Sequence, residues 1–559
     1  MKKKTICGTD DYRKLIESNG YYVDKTLLIQ ELLESGSEIT LITRPRRFGK
    51  TLNMTMLRDF FDINQDSKAI FEGTNIMKTE YADKINSVPI IYLTFKDCNG
   101  VNADSLIVAL KNQLRYEYLR QLKNIHDKSK ISEELYRIFL QYKEILIDAR
   151  IDIEYVKNIL PDTIKLLANI LNEYYGIKPI IIIDEYDNPF IEAKTNGYYD
   201  DVRGILADIF GNTFKGNSYI EKGVMTGIQR IAQESIFSKF NNPSVCTVVD
   251  EEYADKFGLT EEETKEYLNY FDMEYNKKVK QYYDGYNFSG FDVYNPMSIT
   301  SLIKKKGKLD SYWVNTSSNT LIKEEIPKAD KDFIKKFEKL IEEGSCIVSI
   351  DLRITFQEKQ TSSTLWGLLL NAGYITVQKN LGDGDYRIRI PNEEVKKEFK
   401  SIVAEYTRIG ESTLKDLFRA LQDKDMKEFM NVYEDIIFNC TSCFDDRDME
   451  NSYHMLMLGM SIFLEPDFRV ESNRERGKER SDISIYAKND RDINVIIEYK
   501  FEKTDNYNIL ENKAKEALQQ IHDNKYYSSM NGEVLLIGIA HSIKDFAMEH
   551  EIIETKSRL

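Results

Sequence analysis

Ile39-Thr40-Leu41-Ile42-Thr43-Arg44-Pro45-Arg46-Arg47-Phe48-Gly49-Lys50-Thr51 joins an apolar run to a basic turn that ends in Gly-Lys-Thr. The following residues, Leu52 to Phe61, read as a helix. Strand, glycine turn, lysine, hydroxyl and helix make the layout of a phosphate cradle. The turn's N–H groups and the helix N-terminus offer positive partial charge to an anion. In that layout Lys50 reaches the β- and γ-phosphates of a nucleotide and the Thr51 hydroxyl holds Mg²⁺. The usual pattern, G-x-x-x-x-G-K-[ST], has glycine where this chain has Arg44. Arg44 adopts positive φ less cheaply than glycine, and Pro45 fixes the next φ, so the loop entry must differ. A basic loop capping an ordinary helix is the plainer reading of the tripeptide.

Working outward, the length of 559 residues implies several cores, about three or four domains. A hydrophobic share of 42% with 30% charged residues fits globular domains rather than a disordered chain. No apolar run approaches bilayer-spanning length. The start, Met1-Lys2-Lys3-Lys4-Thr5-Ile6-Cys7, lacks the apolar segment of a signal peptide. The six cysteines are scattered, and Cys440 with Cys443 is a lone pair better read as thiols than as a zinc site. These features fit a reducing cytoplasm. The net charge of −15 argues against a surface coated for nucleic acid and leaves room for a local basic groove.

Ahead of the cradle, Tyr21-Tyr22-Val23-Asp24-Lys25-Thr26 reads as a turn leading into a helix with Leu27, Leu28 and Leu32. Val88 to Phe95 is a near-continuous apolar strand of the kind found inside a parallel sheet. Residues 103–172 are mostly helical. Ile180-Ile181-Ile182-Ile183 then runs into Asp184-Glu185-Tyr186-Asp187. This order puts two acids at the C-terminal end of a buried strand, where open α/β sheets bind ligands. Asp184 would hold Mg²⁺ and Glu185 would orient or deprotonate the attacking water. Asp187 reads as a turn or supporting residue. A strand at Ile220 to Thr226 ends near Gly227-Ile228-Gln229-Arg230, and Thr226 and Arg230 are candidates to sense the γ-phosphate.

Tyr22 to Thr26, Thr43 to Thr51, Asp184 to Asp187, and Ser235 to Ser238 with Asn241-Asn242 together resemble the bacterial AAA-ATPase-like proteins. In that family the cradle characteristically reads T-R-P-R-R-F-G-K-[ST]. The resemblance therefore implies that Arg44, Pro45, Arg46, Arg47, Phe48, Gly49, Lys50 and Thr51 form the nucleotide loop. It implies ATP as the cofactor. The chain departs from the family at Lys239 and Phe240.

Between about 250 and 392 the pattern is helical and aromatic. Thr260 reads as an N-cap and Glu263 completes a capping box. Tyr282, Tyr283, Tyr286 and Phe288 surround Gly285; they resemble the family's lid region and read as core packing more than as base-stacking surface. Leu365 to Leu370, with the alternating Tyr386 to Ile390, suggests a small winged module.

The second chemical stretch is Ser481-Asp482-Ile483-Ser484-Ile485-Tyr486, a turn, then Ile493-Asn494-Val495-Ile496-Ile497-Glu498-Tyr499-Lys500. Residues i and i+2 of a strand share a face, so Asp482 on one strand can meet Glu498 and Lys500 on the next. Asp482 and Glu498 offer hard oxygens to Mg²⁺ or Mn²⁺, with the Tyr499 carbonyl available to complete the shell. Lys500 would position water and neutralise developing phosphorane charge. A helix after them carries Gln519 and Gln520, and Val534 to Ala540 is a buried strand.

This β-β-α-β order resembles the PD-(D/E)XK nucleases. Ser472-Asn473-Arg474-Glu475, Gly477, Arg480, Asp482, Glu498, Lys500, Gln520 and Lys525-Tyr526 are similar to the nuclease domain that accompanies many AAA-ATPase-like domains. Glu479 and Ser481 depart from its pattern. An assisting acid is sometimes present, for which Glu450 and Glu475 are candidates beside Gln520.

The expectation is therefore an α/β multidomain protein. Residues 1–249 are an AAA/STAND-like P-loop NTPase core, a parallel sheet with flanking helices. Residues 250–392 are a helical lid and small winged module, 393–451 a helical linker, and 452–559 a restriction-endonuclease-like domain. The expected function is an ATP-dependent or ATP-gated, metal-dependent nuclease of DNA or RNA in the bacterial cytoplasm, without a membrane. The rival is an ATP-switched regulator that grips nucleic acid without cutting. A ring completed by a neighbour's Arg203 or Arg230, or a monomer, remain alternative assemblies.

Overall fold

The structure, a computed structural model, describes residues 2–231, 243–313, 329–354, 361–399, 411–441, 468–472, 482–489, 492–504, 506–542 and 545–555, with Ile322, Glu325 and Ile326. The chain forms two compact units. One contains Met1–Asp330 and Ile347–Lys396, the other Lys331–Cys346 and Lys397–Leu559.

In the first unit the strands in chain order are β1 (Ile39–Thr43), β2 (Ile90–Thr94), β3 (Ile180–Asp184), β4 (Lys222–Gly227), β5 (Arg230–Ile231) and β6 (Ser244–Cys246). Five of them form a parallel sheet in the order β2-β3-β4-β1-β6. β1 and β3 are buried along their whole length. Their continuous β-branched and leucine content follows from burial on both faces. Register aligns the strand ends: Thr43 sits opposite Gly227, and Ile183 opposite Met225. The ends of β1, β3 and β4 therefore reach one edge of the sheet. Long helices, Ala103–Asn124, Ile153–Tyr175 and Tyr199–Phe214, accompany it.

The rest of this unit is smaller. A three-stranded sheet of Leu259–Thr260, Tyr286–Phe288 and Phe291–Tyr294 is followed by helix Pro296–Lys304. Thr260 and Glu263 form the capping box that opens helix Glu261–Tyr270. Tyr283, Tyr286 and Tyr294 are buried, so these aromatics are core. Helix Ser362–Ala372 ends on Gly373 at φ 87° and leads into the hairpin Thr376–Gly382 with Asp385–Arg389.

The second unit is built on strands Phe468–Ser472, Ile483–Ala487, Asn494–Phe501, Gly532–His541 and Phe546–Thr555, adjacent in that order. Only the Asn494–Phe501 and Gly532–His541 pair is parallel. Period-two alternation divides its faces. Val495 and Ile497 pack with Leu414, Leu417, Phe429 and Tyr433. Ile496 on the other face packs with Ile521 of helix Tyr507–Asn524. Helices Glu411–Gln422 and Met426–Thr441, which the sequence suggests as a linker, thus contribute one apolar layer of this core. Among the described residues no helix is long and apolar enough to cross a membrane.

Candidate functional site

At the end of β1 the loop curls through two left-handed residues, Arg47 at φ 65° and Gly49 at φ 85°. Gly49 N-caps helix Lys50–Phe61 without a side-chain acceptor, which leaves first-turn N–H groups for an anion. The buried Lys50 ammonium donates to the carbonyls of Arg44 and Pro45, 3.0 Å each. Burial holds its pKa below the ordinary lysine value, opposed by the charges of Glu185, Asp184 and Asp187.

Thr51 donates its hydroxyl to Asp184 Oδ2 at 2.7 Å, and Thr226 donates to Asp184 Oδ1 at 2.6 Å. Sheet register makes this meeting possible, since Asp184 and Thr226 end neighbouring strands. A hydroxyl and a carboxylate at that spacing fit the hard-oxygen shell of Mg²⁺. Glu185 adopts φ 53°, strain of a kind that clusters at working sites. Burial, then the charge of Asp184, pushes its carboxyl above the usual range, while Lys50 pulls it back. Asp187 Oδ2 accepts from the amides of Ile228 at 2.9 Å and Gln229 at 2.7 Å. A Cβ on Gly227 would come within 2.5 Å of Asp187 Oδ1, so this close approach requires glycine.

The eight loop residues do not all face this cluster. Arg44 meets the cluster through its main-chain carbonyl, which accepts from Lys50, while its side chain turns away. Its guanidinium is fully buried and donates to the carbonyls of Thr43 (2.9 Å), Cys246 (3.0 Å) and Glu252 (3.1 Å). It also lies over the rings of Phe257 and Phe288. Phe48 stacks edge-on against Tyr286 with centroids 4.9 Å apart, and Pro45 packs on Gly373. These three side chains pin the loop from behind. Arg46 is half-buried, and the carboxylates of Glu185 and Asp187 oppose the lowering of its pKa by burial. Arg47 is half-buried, and its Nε has no hydrogen-bond partner among the described residues. Arg230 lies on β5, paired with Arg353, and acts on Asp351 and Tyr186. Arg203 pairs with Asp200 on its own helix. Ser235 to Asn242 lie outside the described residues.

In the second unit, Asp482 and Glu498 interlock. The Asp482 amide donates to Glu498 Oε2 at 3.1 Å, and the Tyr499 amide donates to Asp482 Oδ2 at 2.8 Å. Lys500 Nζ donates to Gln520 Oε1, while Gln520 Nε2 donates to Glu498 Oε1. Gln520 therefore ties the acid and the lysine, which share the strand face toward its helix. Gln519 instead donates to Asp523 at 2.8 Å, which settles the choice between the two glutamines. Gly538 sits opposite Glu498 in the neighbouring strand. A Cβ there would lie 2.5 Å from Leu518 N and closer still to the Ala514 carbonyl. Glycine thus lets the Gln520 helix approach the sheet, a need the sequence does not announce.

Glu498 is only 4% exposed. Burial, then the Asp482 charge, pushes its carboxyl up to about 7. Two crowded carboxylates in a shielded place suit a divalent cation, whose charge reverses that repulsion. Among the described residues no group of three or more His, Cys, Asp and Glu side chains gathers for a metal. The acid pair alone offers hard carboxylate oxygens, the donor chemistry that Mg²⁺ or Mn²⁺ takes. Glu450 and Glu475, with residues 473–481, lie outside the described residues.

The first unit has the parallel sheet and cradle of a P-loop NTPase, and the second has the mixed sheet and acid–lysine face of a restriction-endonuclease-like domain. Residues 6–237 match the family described as predicted AAA-ATPase, and residues 448–551 match the PD-(D/E)XK nuclease superfamily. The chain therefore carries an AAA-ATPase-like domain and a C-terminal PD-(D/E)XK nuclease superfamily domain. It is also similar to an uncharacterised protein from the vnfD 5′ region of Azotobacter chroococcum mcd 1. That protein is 25% identical over 407 residues, which cover 71% of this chain and 69% of the relative.

Proposed function

We propose that the protein is an ATP-dependent or ATP-gated, metal-dependent nuclease hydrolysing phosphodiester bonds of DNA or RNA. The observation that carries this reading is the closed set of contacts joining Asp482, Glu498, Lys500 and Gln520. Asp482 and Glu498 would hold Mg²⁺ or Mn²⁺, which when bound supplies an activated water and offsets charge on the phosphate. Lys500 directs its ammonium to the attacking water or a non-bridging phosphate oxygen. Gln520 holds lysine and acid in one geometry, so neither is free to rotate away.

At the other site Lys50 exchanges two loop carbonyls for the β- and γ-phosphates of ATP, a charge-assisted pairing stronger than the neutral one it leaves. Thr51 and Asp184 would hold Mg²⁺, Thr226 fixes the Asp184 carboxylate, and Glu185 orients the attacking water. A defensive role against foreign nucleic acid in the bacterial cytoplasm rests on analogy from the domain pairing.

The test is incubation of the full chain with linear DNA and RNA in Mg²⁺ or Mn²⁺, with and without ATP. Cation-dependent cleavage, lost in Asp482→Asn, is the expected result. Binding without cleavage under every condition would overturn the nuclease and leave the ATP-switched regulator.

A further inference from the structure

Behind the Asp184-Glu185-Tyr186-Asp187 turn runs a chain of buried hydrogen bonds that nucleotide chemistry does not itself require. Tyr186 donates its hydroxyl to the Gln229 carbonyl at 2.9 Å and accepts from the Ile231 amide at 3.1 Å. Asp187 holds the Gln229 amide at 2.7 Å. The main chain of Gln229 is thus fixed from both sides by the acidic turn. Its side chain points elsewhere: Gln229 Oε1 accepts from Asn371 Nδ2 at 3.0 Å. Both residues are buried, at 5% and 2% exposure. Asn371 belongs to helix Ser362–Ala372, 142 positions away in sequence. The same helix ends at Gly373, where an added Cβ would meet Pro45 of the cradle at 2.9 Å. Helix Ser362–Ala372 therefore touches both sides of the phosphate site, the loop through Gly373 and the acidic turn through Asn371.

We propose that Gln229 is a positioning residue, and that its bond to Asn371 transmits occupancy of the nucleotide site to helix Ser362–Ala372. Two features make the bond suited to this. A buried amide pair has one satisfactory geometry, and a displaced partner leaves a polar atom unmatched. The partner lies in an 11-residue helix, so a shift at the turn is passed to a whole element rather than to one side chain. A ligand shifts the helix only by its differential affinity for two arrangements. The phosphate-facing acids and the cradle are the groups that make that difference. The inference rests on the nucleotide reading above.

The chain carries its own reporter. Its two tryptophans are Trp313 and Trp366. Trp366 is buried in the Asn371 helix, and Trp313 packs edge-on against Tyr374 with centroids 5.2 Å apart. The experiment compares the full wild-type chain with Asn371→Leu and with the double variant Gln229→Met/Asn371→Leu. Removing both polar partners together avoids an orphaned side-chain amide, and the longer 3.5 Å bond from Asn371 Nδ2 to the Leu352 carbonyl is lost equally in the single and the double variant. ATP affinity, tryptophan fluorescence on ATP addition, and steady-state turnover are measured on each. The wild type is expected to change fluorescence on binding. The double variant should bind ATP within about twofold of wild type, lose most of the fluorescence response, and turn over about tenfold slower at similar KM. An unaltered fluorescence response in the double variant overturns the inference. So does a wild type that binds ATP with no response. A wild type that binds no nucleotide instead overturns the ATPase reading itself.

Discussion

At the nucleotide cradle, Thr51, Asp184 and Thr226 meet across sequence separations of 133 and 42 positions. At the acid–lysine site, the bonds joining Asp482, Glu498, Lys500 and Gln520 span 16, 20 and 22 positions. The first site is assembled by the register of a five-stranded parallel sheet. The second is made by one hairpin and the helix that follows. The supports differ accordingly. Behind the cradle stands a buried cation, Arg44, spread over three carbonyls. Behind the acid–lysine site stands an absence of side chain, at Gly538, that lets a helix close on the strand. One site depends on a long-range charge, the other on local contact.

The sharpest way to break this comparison is to remove the lysine of each site. Lys500→Ala should lower cleavage by about a thousandfold or more, because both the developing charge and the water lose their partner. Lys50→Ala should lower ATP turnover by about a hundredfold or more, with ATP binding weakened. Lys500→Ala should spare ATP turnover, read as phosphate release, whereas Lys50→Ala should also lose the part of cleavage that depends on ATP.

The two supports come next. Gly538→Ala should cost about 3 kcal/mol, the upper end for overpacking, since the clash is with helix backbone that has no rotamer to yield. It should depress cleavage while sparing ATP turnover, and denaturant melts of the full chain measure the cost. Arg44→Met should cost about 2 to 3 kcal/mol by leaving buried carbonyls unmatched. Its signature is a lower unfolding midpoint for the first unit.

The smallest effect is a pH dependence. The folded Glu498 carboxyl titrates at about 7, above the unfolded value of about 4.3. The folded state thus binds the proton more tightly. Its favourable contribution is complete below the unfolded value and is lost as pH rises through about 7. In metal-free protein at pH above that window, Glu498→Gln should therefore raise stability by about 1 to 3 kcal/mol. At pH below about 4 the difference should vanish. Cleavage should be lost at every pH. Chemical denaturation in chelator across this range reads the sign directly.

What the sequence discloses about these sites follows their geometry. Glu498 and Lys500 are legible because strand pleat alone places them on one face. The P-loop order is legible because strand, turn and helix are consecutive. The direction of the Arg44 side chain has no local signal, because it is set by the carbonyls of Cys246 and Glu252, about 200 positions on. The choice between Gln519 and Gln520 needed the helix phase relative to the sheet. The Gln229–Asn371 bond has no local signal, since each residue is an ordinary polar side chain in its own segment. Helices Glu411–Gln422 and Met426–Thr441 showed amphipathic patterning, but sequence does not name the sheet that their apolar faces cover.

The most direct test of two separate phosphate-handling sites is a crossed assay on Lys500→Ala and Lys50→Ala, with Mg²⁺, ATP and a nucleic-acid substrate present. Lys500→Ala should hydrolyse ATP at the wild-type rate and leave the polymer intact. Cleavage by Lys500→Ala at the wild-type rate would contradict the account.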